Sequence, residues 1–68
     1  MKKALENNIK VLRAEMGMTQ EELGAACGLS RQSINAIETG KYVPTVVTAI
    51  KIAKFFNKKI EDIFKLSG

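Results

Sequence analysis

The sequence predicts an all-α fold. One compact domain of five short helices is expected, with a helix-turn-helix made by the second and third. Three observations predict it. Apolar residues recur at spacings of three and four along successive segments, with none of the alternation that marks a half-buried strand. Hydroxyl residues stand ahead of several of those segments, where helix N-caps belong. Between Thr19 and Lys41, two such segments flank one glycine, Gly28, and leave room for only a tight turn.

The elements follow in order. Residues 1–7 are open between an extension of the first helix and a loose arm. The first helix runs from about Asn8 to Met16, with Ile9, Leu12 and Met16 as its buried stripe. Gly17 stops it. Met18 is placed to pack as a hydrophobic staple across the next N-cap, Thr19, and Glu22 three residues on completes a capping box. Leu23, Ala26 and Cys27 form the stripe of the second helix. Gly24-Ala25-Ala26 are three small residues in a row, which suits a close crossing of two helices despite the helix-propensity cost of glycine, about 1 kcal/mol relative to Ala.

Ser30 caps the third helix, whose stripe is Ile34 and Ile37 with the preceding Leu29. Thr39-Gly40 ends it. Lys41-Tyr42-Val43-Pro44 is a loop, and Pro44 biases Val43 toward extended backbone. Thr45 caps a fourth helix that reaches about Phe56. Val46, Ala49, Ile50, Ala53 and Phe56 share one face; Thr48, Lys51 and Lys54 lie mostly on the other. Val47, Ile52 and Phe55 make this helix more apolar than a surface helix needs. Ile52 is assigned to the core, while Phe55 is open between core and a contact with another subunit. Asn57-Lys58-Lys59 is a break. Ile60–Phe64 is a short last helix with Ile60, Ile63 and Phe64 on its apolar side; it lacks a strong cap and depends on packing. Residues 65–68 are a tail.

Composition narrows the class. The chain has 68 residues, enough for one domain, 1–68, with its core in 8–64. A domain this small buries only about 60% of its unfolded surface, so a dimer would add needed burial. A hydrophobic fraction of 46% and a charged fraction of 26% belong to a globular chain. One Cys and no His exclude an intrachain disulfide and offer no ligand set for zinc within one chain. Cys27, on a core-facing position, reads as a small hydrophobe and not as a redox sensor. No apolar run has the length of a signal peptide or a membrane span, so a cytoplasmic location is expected. The net charge is +4, unevenly distributed. Residues 1–18 carry +2, residues 19–42 carry −1 and residues 43–68 carry +3.

The segments IKVLRAEMGMTQEELG, LSRQSINAIETGKYVPT and AIKIAKFFNKKIEDIF, in that order and spacing, are recognisable. From Ile9 to Phe64 the chain resembles the Cro/C1-type helix-turn-helix family, also called the xenobiotic-response-element family, and is most similar to its short stand-alone regulators. The resemblance implies a lambda-repressor-like five-helix fold, binding to double-stranded DNA as a homodimer, and transcriptional repression. It also implies roles for particular residues. Arg31, Gln32 and Asn35 match base-facing positions of the recognition helix. Gln20, Ser30, Ser33, Thr39 and Lys41 match positions at the DNA backbone. Arg13 and Glu38 match a pair that forms an internal ion pair, which assigns Glu38 to structure.

Chemistry runs parallel to these roles. A recognition helix presents its first turns to base edges. Arg31 is suited to guanine O6 and N7, and Gln32 to adenine N6 and N7. Asn35 shares their face and is open between base, phosphate and water. Lys2 and Lys3 could reach phosphate. A dimer contact is expected from the carboxy-terminal third, through Phe55, Ile60, Phe64 and Leu66. The competing reading is an antitoxin or protein-interaction adaptor on the same fold. An enzyme is the weakest reading: the sequence has no His and no cluster of acids or nucleophiles, and Glu61-Asp62 are explained by dipole complementarity at a helix start. No cofactor and no small-molecule ligand is expected.

Overall fold

A computed structural model of the chain describes residues 5–66, and their order is β1 (Leu5–Asn7), α1 (Ile9–Met16), α2 (Gln20–Cys27), α3 (Arg31–Glu38), α4 (Val46–Phe56), α5 (Ile60–Ile63) and β2 (Phe64–Leu66). Lys2, Lys3, Ser67 and Gly68, named above as an arm and a tail, lie outside the described residues.

Helices α2, α3 and α4 start at side-chain caps, whereas Asn8 makes no such bond at the start of α1. Thr19 Oγ1 accepts from the Glu22 N–H at 3.0 Å, and the Thr19 N–H donates to Glu22 Oε1 at 2.8 Å, so the capping box is complete. Ser30 Oγ accepts from the Ser33 N–H and Thr45 Oγ1 from the Thr48 N–H, both at 3.1 Å. Gly17 and Gly28 end α1 and α2 in the left-handed region, with φ of 66° and 71°. At each, two backbone N–H groups turn back on the helix: Gly17 to Ala14 and Met18 to Arg13, then Gly28 to Ala25 and Leu29 to Gly24. Asn57 closes α4 in the same region with φ 56°. Lys59 offers α5 no side-chain cap; instead its N–H donates to Asp62 Oδ2 at 3.3 Å.

The ends of the chain depart from expectation. Leu5–Asn7 and Phe64–Leu66 are neither helix nor tail but an antiparallel pair, with Leu5 opposite Leu66, Glu6 opposite Lys65 and Asn7 opposite Phe64. Phe64 thereby leaves α5. An isolated two-stranded ribbon is marginal in water. This one is held by its surroundings: the Asn8 N–H donates to the Ile63 carbonyl at 3.1 Å, and Asn7 Nδ2 donates to the Ile37 carbonyl at 2.9 Å.

The core is Ile9, Leu12, Leu23, Cys27, Ile34, Ile37, Ile52, Ala53, Ile63 and Phe64. Every helix contributes, and Leu5, Met18, Leu29, Ala49, Phe55 and Phe56 pack partly buried against it. Four expectations need correction. Met16 is 54% exposed, since α1 ends there and Met18 takes the inward place. Ala25 and Ala26 are exposed, so among the small residues of α2 only Gly24 is buried. On α4 the buried and half-buried apolar residues are Ala49, Ile52, Ala53, Phe55 and Phe56, while Val46 and Ile50 face out. Phe64 is 6% exposed and belongs to the protomer's own core, so its side chain is not free for a second copy.

Gly24 has a specific reason. A Cβ there would stand 2.5 Å from the Leu29 carbonyl oxygen, in the backbone of the turn that joins α2 to α3. The close approach is to the turn, not to the side chains of a crossing helix. Cys27 is buried, and burial raises its thiol pKa, with the Lys51 charge acting in the opposite direction.

Gly24→Ala tests the turn. Alanine favours a helix by about 1 kcal/mol over glycine, but overpacking costs ~1–3 kcal/mol. The overlap is with backbone, which cannot rotate away, so urea denaturation should report a net loss of roughly 1–2 kcal/mol. Stability equal to or above that of the parent would contradict a rigid contact at this point.

Candidate nucleic-acid interface

Helix α3 has two unlike sides. Ile34 and Ile37 are buried completely or nearly so, which fixes the rotation of the helix about its axis. Arg31, Gln32 and Asn35 consequently stand on the solvent side, all exposed. Gln20, first in α2, joins them across the turn, and the four side chains line one shallow depression. The three positions expected to read bases are therefore brought together with one expected at the backbone.

The hydroxyls are more committed. Ser30 Oγ, already the N-cap, donates to Ser33 Oγ at 3.0 Å. Thr39 Oγ1 donates to the Asn35 carbonyl at 2.9 Å. Each hydroxyl has one proton to give, so Ser33 keeps a free donor while Ser30 and Thr39 spend theirs within α3. Lys41 is exposed, beyond α3, with its backbone N–H held by the Ala36 carbonyl at 2.9 Å. The first N–H groups of α3 face the same end and, with the helix dipole, favour an anion there.

Beneath this surface lies an ion pair. Arg13 of α1 donates to Glu38 of α3 from Nε at 2.6 Å and from Nη2 at 3.1 Å, a two-pronged contact, and gives Nη1 to the Met18 carbonyl at 2.8 Å. The hydrogen bond to Glu38 is the main cause that holds the Arg13 pKa above its ordinary value. Glu38 is thus structural, as expected, but it has a further partner: Gln20 Nε2 donates to Glu38 Oε1 at 3.1 Å. Gln20 Oε1 in turn lies 3.5 Å from Asn35 Nδ2. Sequence reasoning missed this chain, for which spacing carries no signal; only the polar character of all four residues hinted at it.

The expected dimer residues differ widely in exposure. Leu66 is 86% exposed on β2, Ile60 is about one-third exposed at the start of α5, and Phe55 is half-buried with its ring edge-on to Phe56. Other apolar residues, outside the expected dimer set, are exposed as well. Tyr42, Val43, Val46, Val47 and Ile50 are all exposed, in and just after the loop that follows α3. Among the described residues no group of His, Cys, Asp or Glu could hold a metal ion, and no helix is long and apolar enough to cross a membrane.

Comparison with known proteins agrees with this geometry. A helix-turn-helix family model matches residues 9–63. An uncharacterised HTH-type transcriptional regulator of Methanocaldococcus jannaschii is 55% identical over 60 residues, which cover 88% of this chain and 91% of that one. The regulator YgzD of Bacillus subtilis, likewise uncharacterised, is 48% identical over 62 residues, covering 91% and 94% of the two chains. A candidate DNA-binding protein from Bacteroides fragilis has a crystal structure that superposes with a TM-score of 0.77 at 26% identity, over 90% of this chain and 98% of that one. Two outward polar turns on a helix locked by its buried face, and relatives of this likeness along almost the whole length, lead to one assignment: the chain belongs to the Cro/C1-type helix-turn-helix family of DNA-binding transcriptional regulators.

Proposed function

We propose that this regulator is a sequence-specific repressor that binds an approximately palindromic operator as a homodimer, with α3 in the major groove. The observation that carries the reading is the grouping of Arg31, Gln32 and Asn35 on the exposed side of a helix whose other side is buried in the core. Arg31 and Gln32 match the donor and acceptor pattern of guanine and adenine edges. Gln20, Ser33 and Lys41 serve the phosphate backbone, with Ser30 and Thr39 contributing where they exchange an internal hydrogen bond for one to DNA. Repression follows when the occupied operator overlaps a promoter and blocks polymerase.

The dimer follows from reach. One recognition helix reads few base pairs, and half-sites of a two-fold operator lie ~34 Å apart. The described residues span 30 × 23 × 22 Å, too little for one copy to reach both half-sites but suitable for two side by side. The exposure of Val43, Val46, Val47 and Ile50, which begin in the loop that carries Lys41, supports a contact with a second copy there. Ile60 and Leu66 extend the candidates toward the end of the chain.

The same exposed apolar residues also support the second reading, an adaptor or antitoxin that covers them with a different protein. The two readings separate on DNA. Selection from a random pool should enrich a palindrome whose half-sites are about one helical turn apart; the absence of any enriched site at moderate salt would leave the adaptor reading in its place. Within such sites, Gln32→Ala should change the preferred base at one position of each half-site by about 1–3 kcal/mol. Lys41→Ala should instead weaken all sites alike and flatten the salt dependence by about one phosphate per copy. For the dimer, sedimentation of the Val46→Glu, Ile50→Glu double variant should report a monomer that retains helical circular dichroism. A dimer unchanged by both substitutions would move the interface to Ile60 and Leu66.

A further inference from the structure

Glu38 sits at the last position of α3 with its side chain 5% exposed, and its carboxylate collects donors from two other helices. Arg13 supplies Nε and Nη2, and Gln20 supplies Nε2 at 3.1 Å. An ionised carboxylate accepts hydrogen bonds and donates none. Gln20 must therefore turn its nitrogen inward and its oxygen the other way. That oxygen faces Asn35, whose Nδ2 lies 3.5 Å off, a long contact but one of matching polarity. Asn35 then turns its nitrogen toward Gln20 and its oxygen outward. The two ends of an amide are ordinarily hard to tell apart. Here the buried charge decides them in sequence, from Glu38 to Gln20 to Asn35.

On the major-groove reading above, we propose that Glu38, acting through Gln20, is a positioning residue for base choice. It presents the Asn35 oxygen to the DNA, so that Asn35 selects a base offering an amino group, adenine or cytosine, over guanine or thymine on the contacted strand. Adenine N6 and cytosine N4 are the amino donors of the major groove; guanine and thymine offer acceptors there. Asn35 also retains a second N–H on Nδ2, since each amide nitrogen carries two. That hydrogen is available to adenine N7 while the oxygen takes N6–H, which places adenine ahead of cytosine. Gln32, with no side-chain hydrogen bond among the described residues, has no such lock and adapts to either polarity.

The test is selection of bound DNA from a random pool by the parent chain and three variants, with circular dichroism as the fold control. Asn35→Ala identifies the position, as the one at which preference disappears. The parent chain should show adenine, then cytosine, at that position. Gln20→Ala should relax that preference by about tenfold while leaving the position governed by Gln32 unchanged. Glu38→Gln, whose neutral amide can present either end to Gln20, should relax the same position. If Glu38→Gln does not fold, Gln20→Ala carries the test, because it leaves the Arg13–Glu38 pair intact. Guanine or thymine at the mapped position overturns the proposal. So does an Asn35→Ala variant that changes no position, or a Gln20→Ala variant that weakens every site equally, the behaviour of a phosphate contact alone. Each of those outcomes leaves DNA binding standing. A parent chain that enriches no site overturns the repressor reading and this proposal together.

Discussion

The Arg13–Glu38 pair is the constraint around which the polar half of the molecule is arranged. A carboxylate at the end of α3 faces the negative end of the helix dipole, which disfavours it. The last turn of α3 holds no basic residue. Arg13, reaching from the last turn of α1, supplies the missing cation and adds a hydrogen bond to the Met18 carbonyl just before α2 begins. One guanidinium thus ties three helices at the point where they meet. Pairs so little exposed are weak evidence for net stability, because desolvation offsets much of the attraction. Their effect is directional. Removing one partner costs ~3–5 kcal/mol by stranding the other, so alternative packings that separate α1 from α3 are disfavoured.

Apolar burial sets the remaining geometry. Leu23 and Cys27 on α2, and Ile34 and Ile37 on α3, are buried against Ile52 and Ala53 of α4 and Ile9 and Leu12 of α1. The turn between α2 and α3 is tight enough that Gly24 touches the Leu29 carbonyl through the space a Cβ would need. Neither helix of the reading motif can rotate or slide without opening this contact. The outward positions of Arg31, Gln32 and Asn35 are therefore a consequence of what lies behind them.

How much of this is legible in the sequence depends on the kind of signal. Thr19, Ser30, Thr45, Gly17 and Gly28 mark helix boundaries because capping is local chemistry, read from one or two neighbours. The outward set on α3 is legible for a similar reason: Ile34 and Ile37 are its only large apolar residues, so the opposite face is determined. On α4 the same reasoning fails. Apolar residues stand at 46, 47, 49, 50, 52, 53, 55 and 56. Periodicity then supplies a spacing but no phase, and the choice of Ile52 over Ile50 is made by what α2 and α5 bring against the helix. The ribbon of Leu5–Asn7 with Phe64–Leu66 left no trace, since three residues are too few to alternate and the pairing spans the chain. Gln20 to Glu38 is the same kind of long-range fact, with neither period nor motif to announce it.

Charge and shape divide the work of binding. The stretch from 19 to 42 carries −1 overall, yet two of its three acids have other duties. Glu22 closes the capping box and Glu38 is sealed by Arg13 and Gln20. Arg31 and Lys41 are then the charges this stretch presents at the interface, and the flanks add a general attraction to a polyanion. The two ends of α3 are treated differently as well. Its first turn carries only the Ser30 cap and is open to a ligand. Its last turn is anchored, by Arg13 on Glu38 and by Asn7 on the Ile37 carbonyl, which also ties the terminal ribbon to the helix. Arg31 and Gln32 stand at the free end, where substitution disturbs nothing behind them. Asn35 lies one turn further in, against Gln20. Divergence in base choice among such proteins should accordingly be easy at the first two positions and coupled to Gln20 and Glu38 at the third.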